Sequence, residues 1–164
     1  MSASAADPRL REIARLREAD TTAAERLART LVAERPDDIE AHRALLSVLS
    51  RRVDTAATAE AARAALARHP EWDEIGEALA DAHFHAGELE AAYDEIARRP
   101  ALGRSAETAM RVGVLAHAVG RRDAAFEAFH SGLAGAAGGD AGVQARGWVG
   151  LMRLWRDAGR ERLA

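Results

Sequence analysis

A chain of 164 residues is long enough for one ordinary domain with a sizeable core. Its residues are 48% hydrophobic, mostly alanine, and its net charge of −3 excludes a general nucleic-acid binder, which needs a basic surplus. Cysteine is absent, which excludes disulfides, thiolate metal sites and cysteine nucleophiles.

Only 4% of residues are aromatic, so the core must be built from small and aliphatic side chains. That composition favours closely packed helices, because alanine has the best intrinsic helix propensity. All 23 basic side chains are arginine, with no lysine and no asparagine, a bias we attribute to GC-rich coding rather than to function. The first twenty residues turn charged before any apolar stretch could form, so no signal peptide is expected. No apolar run approaches the roughly 18 residues of a membrane span. A cytoplasmic protein with no membrane contact is the resulting expectation.

In chain order, a first pair of helices is predicted over residues 8–18 and 22–34. Asp7 before Pro8 is a capping side chain ahead of a proline at the first helical position, and Thr22 with Glu25 fits a capping box. Leu10, Ile13, Arg17, Leu27 and Leu31 keep the spacing of a buried stripe. A second pair lies between Pro36 and Pro70. Its first helix carries Leu45, Leu46, Val48 and Leu49, it breaks near Arg52, Val53 and Asp54, and its second helix is mostly alanine with Asp54 as cap.

The third pair is predicted to start at Pro70, Glu71 and Trp72, with proline and acid in a first turn. Ile75, Leu79, Ala82 and His83 form its stripe, Gly87 its turn, and Leu89, Ala92, Tyr93 and Ile96 a short return helix ending at Pro100. The fourth opens after Ser105, with Met110, Val112, Gly113 and Ala116, turns at Gly120, and returns through Ala125, Phe126, Phe129 and Leu133. A glycine-rich loop over residues 135–142 leads to a long helix over 143–157 that Gly159 ends, leaving residues 160–164 for any return.

Pro36 and Pro70 stand 34 residues apart with one helix–turn–helix between them, the mark of a solenoid array. The expected architecture is therefore all-α, a single domain of antiparallel helix pairs with about nine helices. Its repeats span roughly residues 5–38, 39–72, 73–105 and 106–139, with a partial fifth over 143–164.

These residues resemble the tetratricopeptide repeat family. That family places a small residue midway along the first helix, glycine at the turn, a small residue early in the second helix, and a closing proline. Gly113, Gly120, Ala125, Phe129 and Gly132 match it best; Ala80, Gly87, Ala92, Ala24, Pro36 and Pro70 match in the other repeats, and Trp148, Leu151, Trp155, Gly159 and Ala164 in the last segment. Small side chains let helices approach closely, and glycine permits the reversal. Leu46 and Glu12 depart from the pattern, standing where small residues belong, and Val53 replaces a turn glycine. The resemblance implies a right-handed α-solenoid and a protein-binding scaffold.

Catalysis is not expected. No nucleophile elbow or phosphate loop is present. Asp81 and His85 share a helix face and could touch a metal, but two ligands are fewer than a stable site needs. No cofactor is implied.

Charge is more informative. Residues 71–105 hold nine acids against three arginines, whereas 106–164 hold eight arginines against six acids. In the resembled family the first helix of each pair lines a concave groove. By register that groove would present Arg43, Ser47 and Arg51, then Glu74, Glu77, Asp81, Phe84 and His85, then Met110, Val114 and His117. Such a surface suits a partner's peptide or helix, with basic residues expected opposite the acids. The Lys/Asn carboxylate clamp of some family members is not available to a chain lacking both residues.

Trp148, Leu151, Met152 and Trp155 follow i, i+3, i+4, i+7 and form an apolar stripe at the C-terminal edge. A second copy, another protein or a following domain is expected to cover it. The rival reading is an N-terminal module of, or accessory subunit to, a bacterial enzyme such as an oxygenase or transferase.

Overall fold

The computed structural model of the protein describes residues 7–99, 105–136 and 141–161. Among them are nine helices and no strand: α1 (Pro8–Ala19), α2 (Thr21–Glu34), α3 (Ile39–Arg51), α4 (Thr55–Arg68), α5 (Asp73–His85), α6 (Leu89–Ala97), α7 (Ala106–Ala118), α8 (Arg122–Gly135) and α9 (Ala141–Glu161). They gather into two compact units, α1–α5 through Ala86 and α6–α9 from Gly87. No described helix is long and apolar enough to cross a membrane. Pro100, Ala164 and half of the glycine-rich loop (137–140) lie outside the described residues.

Side-chain caps start most of these helices. Asp7, Asp38, Asp54 and Ser105 each accept a backbone N–H of the first turn that follows. The second helix differs from expectation: Asp20, not Thr22, caps it, accepting the Ala23 N–H at 3.0 Å. Glu25 is thereby freed to pair with Arg29 and Arg52. Pro70, Glu71 and Trp72 form a turn ahead of α5, whose first-turn acids are Asp73 and Glu74. At the other end, α9 runs past Gly159 to Glu161 and begins at Ala141.

In the first unit α3 is central. One face sends Leu45, Val48 and Leu49 into a core with Ile13, Ala24, Ala28 and Leu31. The other sends Leu46 into a second core with Ala59, Ala62, Ala65, Ile75 and Leu79. The large Leu46 is therefore matched by an α4 reduced to alanine, so the summed volume is kept. Each fully buried leucine contributes roughly 1.5–3 kcal/mol.

The second unit is organised around Phe129 of α8, which is 1% exposed. A Cβ at Gly113 of α7 would stand 2.7 Å from its ring, and one at Gly150 of α9 would stand 2.5 Å away. Both are below any real contact, so α7 and α9 reach the ring because neither carries a side chain there. Met110 repeats the device: its methyl lies 2.6 Å from where a Cβ of Gly132 or of Gly147 would be.

The turns follow one geometry. Gly87 and Gly120 have φ of 79° and 75°, and Val53 takes the same left-handed conformation at 57°. After α3, the Asp54 N–H donates to the Leu49 carbonyl at 3.3 Å and the Val53 N–H to that of Ser50 at 3.0 Å. After α7, the Arg121 and Gly120 N–H groups donate likewise to Ala116 at 2.8 Å and His117 at 3.1 Å. A β-branched residue thus does a glycine's work, against its own steric preference.

One polar joint ties two turns of the first unit together. His69 faces Asp37 at 3.0 Å through Nε2 and Glu71 at 3.2 Å through Nδ1, and its ring stacks on Trp72 with centroids 4.0 Å apart. Both nitrogens can donate only in the imidazolium. The bond to Asp37 is the main cause that raises the His69 pKa. Arg68 and then His69 hold the Asp37 carboxyl below its ordinary range. On the other flank of Trp72, buried His42 donates Nε2–H to the Pro36 carbonyl at 2.9 Å.

Gly150→Ala forces the Phe129 ring to move and is expected to destabilise by about 1–3 kcal/mol, whereas Gly159→Ala, with open space around it, should be neutral or stabilise by up to about 1 kcal/mol. Equal denaturation midpoints for the two variants would contradict this packing. Val53→Gly should raise the melting temperature, gaining up to about 1 kcal/mol by removing the left-handed penalty. A lower temperature would show that the turn is not strained.

For His69 the sign follows from a raised folded pKa. Its contribution is complete below the unfolded value of about 6.5 and is lost as pH rises through the folded one. The stability deficit of His69→Gln should accordingly be largest below about pH 6.5 and shrink as pH rises above it; a deficit that does not fall with rising pH would refute the protonated joint.

Candidate functional site

The first unit carries most of the groove residues read from the sequence. Arg43 of α3 bonds Glu40 at 2.6 Å and pairs with Glu74 of α5. Arg51 bonds Glu18 of α1 at 2.7 Å. The Ser47 hydroxyl donates to the Ala44 carbonyl at 2.9 Å. Those arginines therefore staple α3 to its neighbours instead of waiting for a ligand. Exposed pairs of this kind are each worth about 0–1 kcal/mol. Their effect on the surface is larger, since they neutralise both the basic sector and Glu74.

On α5, Glu77 and Asp81 are half-buried and Phe84 is 45% exposed. The His85 ring meets Phe84 edge-on and donates Nδ1–H to the Asp81 carbonyl at 2.8 Å. That bond fixes the His85 tautomer. Beside these residues a cleft of about 240 Å³ opens against the α3–α4 turn, lined by Val53, Asp54, Thr58, Asp81 and His85. The sequence signal for it was Val53 in a glycine's place.

In the second unit the expected residues separate. Met110 is 2% exposed and belongs to the core, because glycines on α8 and α9 let those helices close over it. It lines no groove. Val114, one turn on, is 51% exposed. His117 bonds the Asp157 carboxylate of α9 at 3.0 Å, the main cause holding that carboxyl below its ordinary range.

Opposite Val114 stand Val149 and Arg153 of α9. Together with Phe129 and Gly150 below them they form a trough of about 380 Å³, with Arg146 at its rim. Reading α9 only through its tryptophans missed this flank, although Arg146, Val149 and Arg153 keep an i, i+3, i+7 spacing that marks one side of a helix.

The stripe at the C-terminal edge also divides. Leu151 is 3% exposed and packs inward with Val143 and Leu154 against Phe129 and Ala125. Trp148, Met152 and Trp155 face outward and are 55%, 56% and 59% exposed. A stripe four residues wide was too broad for a helix that must also bury a leucine row.

No family model matches this sequence, and neither does any curated protein. Solved structures do. A crystal structure of MamA aligns with a TM-score of 0.65 at 17% identity over 90% of this chain and 94% of that one. A thermophilic TPR protein from Thermus thermophilus gives 0.67 at 18% identity, covering 84% and 76%. A tetratricopeptide repeat protein from Parabacteroides merdae gives 0.72 at 17%, covering 94% and 62%. The chain has the tetratricopeptide repeat fold. With identity this low, the tetratricopeptide likeness is one of helix arrangement, not of a shared ligand set. It establishes an all-α helical-repeat solenoid.

Proposed function

We propose that this protein is a non-catalytic interaction scaffold of the tetratricopeptide type. The faces built from the first helices of its pairs take a partner's peptide or helix, and the outer face of α9 takes a second copy of the chain. One observation carries the reading: Trp148, Met152 and Trp155 stand more than half exposed on one side of one helix. Leaving large apolar side chains in water forfeits roughly 1.5–3 kcal/mol each, and contiguous patches of this kind mark interfaces.

The order of the stripe favours a second copy. Met152 lies between the two tryptophans along α9, so a two-fold axis through it sets Trp148 of one copy against Trp155 of the other. Such an isologous contact is apolar along its whole length. The helical-repeat fold supports the scaffold reading by analogy, since function resides in sites rather than in folds.

Light scattering over a wide concentration range tests this. The wild type should shift from monomer to dimer as concentration rises, while Trp148→Glu/Trp155→Glu stays monomeric with unchanged helical circular dichroism. A wild type that is monomeric throughout, with blue-shifted tryptophan emission and no binding of hydrophobic dye, would contradict the proposal.

A further inference from the structure

The α7–α9 trough differs in chemistry from the outer face of α9 and from the ion-paired face of the first unit. Its walls are Val114 and Val149, 51% and 40% exposed, and its floor is the Phe129 ring beneath Gly150. The floor is closed, Phe129 being buried, so the water-exposed apolar surface is the two facing valines, and the space between them is a place for an apolar side chain. The trough is open to solvent. It would leave much of a compact small molecule in water, whereas an extended segment could lie along it.

The rim decides the charge of that segment. Arg153 is exposed and makes no ion pair or hydrogen bond among the described residues. The nearby acids are already engaged: Asp157 by His117 at 3.0 Å, and Glu107 by Arg146. An incoming carboxylate thus meets an uncommitted guanidinium capable of a two-pronged bond. An incoming cation meets arginine on the same flank, where the two acids Asp157 and Glu107 are already engaged.

We infer that this trough takes a short acidic segment of a partner protein, seating an apolar side chain between Val114 and Val149 while Arg153 holds a neighbouring carboxylate. The inference rests on the scaffold reading and supplies its partner chemistry, in contrast to the basic partner that the acids of α5 suggested.

The test uses the full ¹⁵N-labelled chain and two capped hexapeptides, Asp-Glu-Leu-Leu-Asp-Glu and Arg-Arg-Leu-Leu-Arg-Arg. The acidic peptide should shift the amides of Val114, His117, Val149 and Arg153, and should bind at least tenfold tighter than the basic one. Arg153→Glu should abolish that preference, and Val149→Ser should weaken the acidic peptide; both positions are exposed, so the fold should survive. Arg63→Glu, on exposed α4 surface, should change nothing. Equal binding of the two peptides, shifts elsewhere only, no binding at all, or an Arg153→Glu variant with unchanged preference would each overturn the assignment. Concentration-dependent dimerisation persisting without these peptide shifts would remove the trough and leave the scaffold. Absence of both would remove the two together.

Discussion

The Phe129 ring, held between two helices that carry no side chain at the point of contact, is the constraint on which the second unit depends. A phenylalanine this size would normally hold neighbouring helices apart. With Gly113 and Gly150 on either side it draws α7 and α9 in until their backbones touch the ring. The seat of α9 follows from that contact. One face, with Val143, Leu151 and Leu154, is committed inward. One flank is left across from Val114 with the ring as a floor, and the remaining face carries its tryptophans into solvent. Both proposed contact surfaces are thus consequences of one packing choice.

The first unit reaches close packing by another route. Alanine replaces glycine: Ala24, Ala28, Ala41, Ala62 and Ala65 are fully buried. Alanine keeps the helix propensity that glycine gives up, by about 1 kcal/mol per residue. Its surface is correspondingly quiet, because Arg43 and Arg51 are tied to acids on α5 and α1. The carboxylates and the imidazolium at the His69 joint hold two turns in place by charge rather than by apolar burial.

Much of the fold was legible in the sequence because it is written in local signals. Asp7 and Asp54 read as caps and are caps, and Ser105, read as the point after which the fourth pair opens, caps α7; Gly87 and Gly120 read as turns and have left-handed backbones. Errors arose where two local signals competed. Asp20 and Thr22 both suit a helix start, and only the loop entering α2 decides between them. Pro70 and Glu71 suit a first turn, yet the stacking of Trp72 on His69 holds them outside it. The site was less legible, for a reason of geometry. A helix in this array meets neighbours on more than one side, so periodicity shows that Met110 and Leu151 belong to apolar rows without showing which row is covered. Glycines on other helices settle that for Met110, and Gly132 and Gly147 lie 22 and 37 residues from it along the chain. The pairing of Arg43 with Glu74 is long-range in the same way.

The central claim is that α9 is part of the core around Phe129 and not an appendage to it. Native-state hydrogen exchange followed amide by amide measures this directly. The account predicts that the slowest amides of α7, α8 and the middle of α9, around Gly113, Phe129 and Gly150, share one opening free energy and one denaturant dependence. An α9 that exchanges through a separate, lower-energy opening while α7 and α8 stay protected would contradict it.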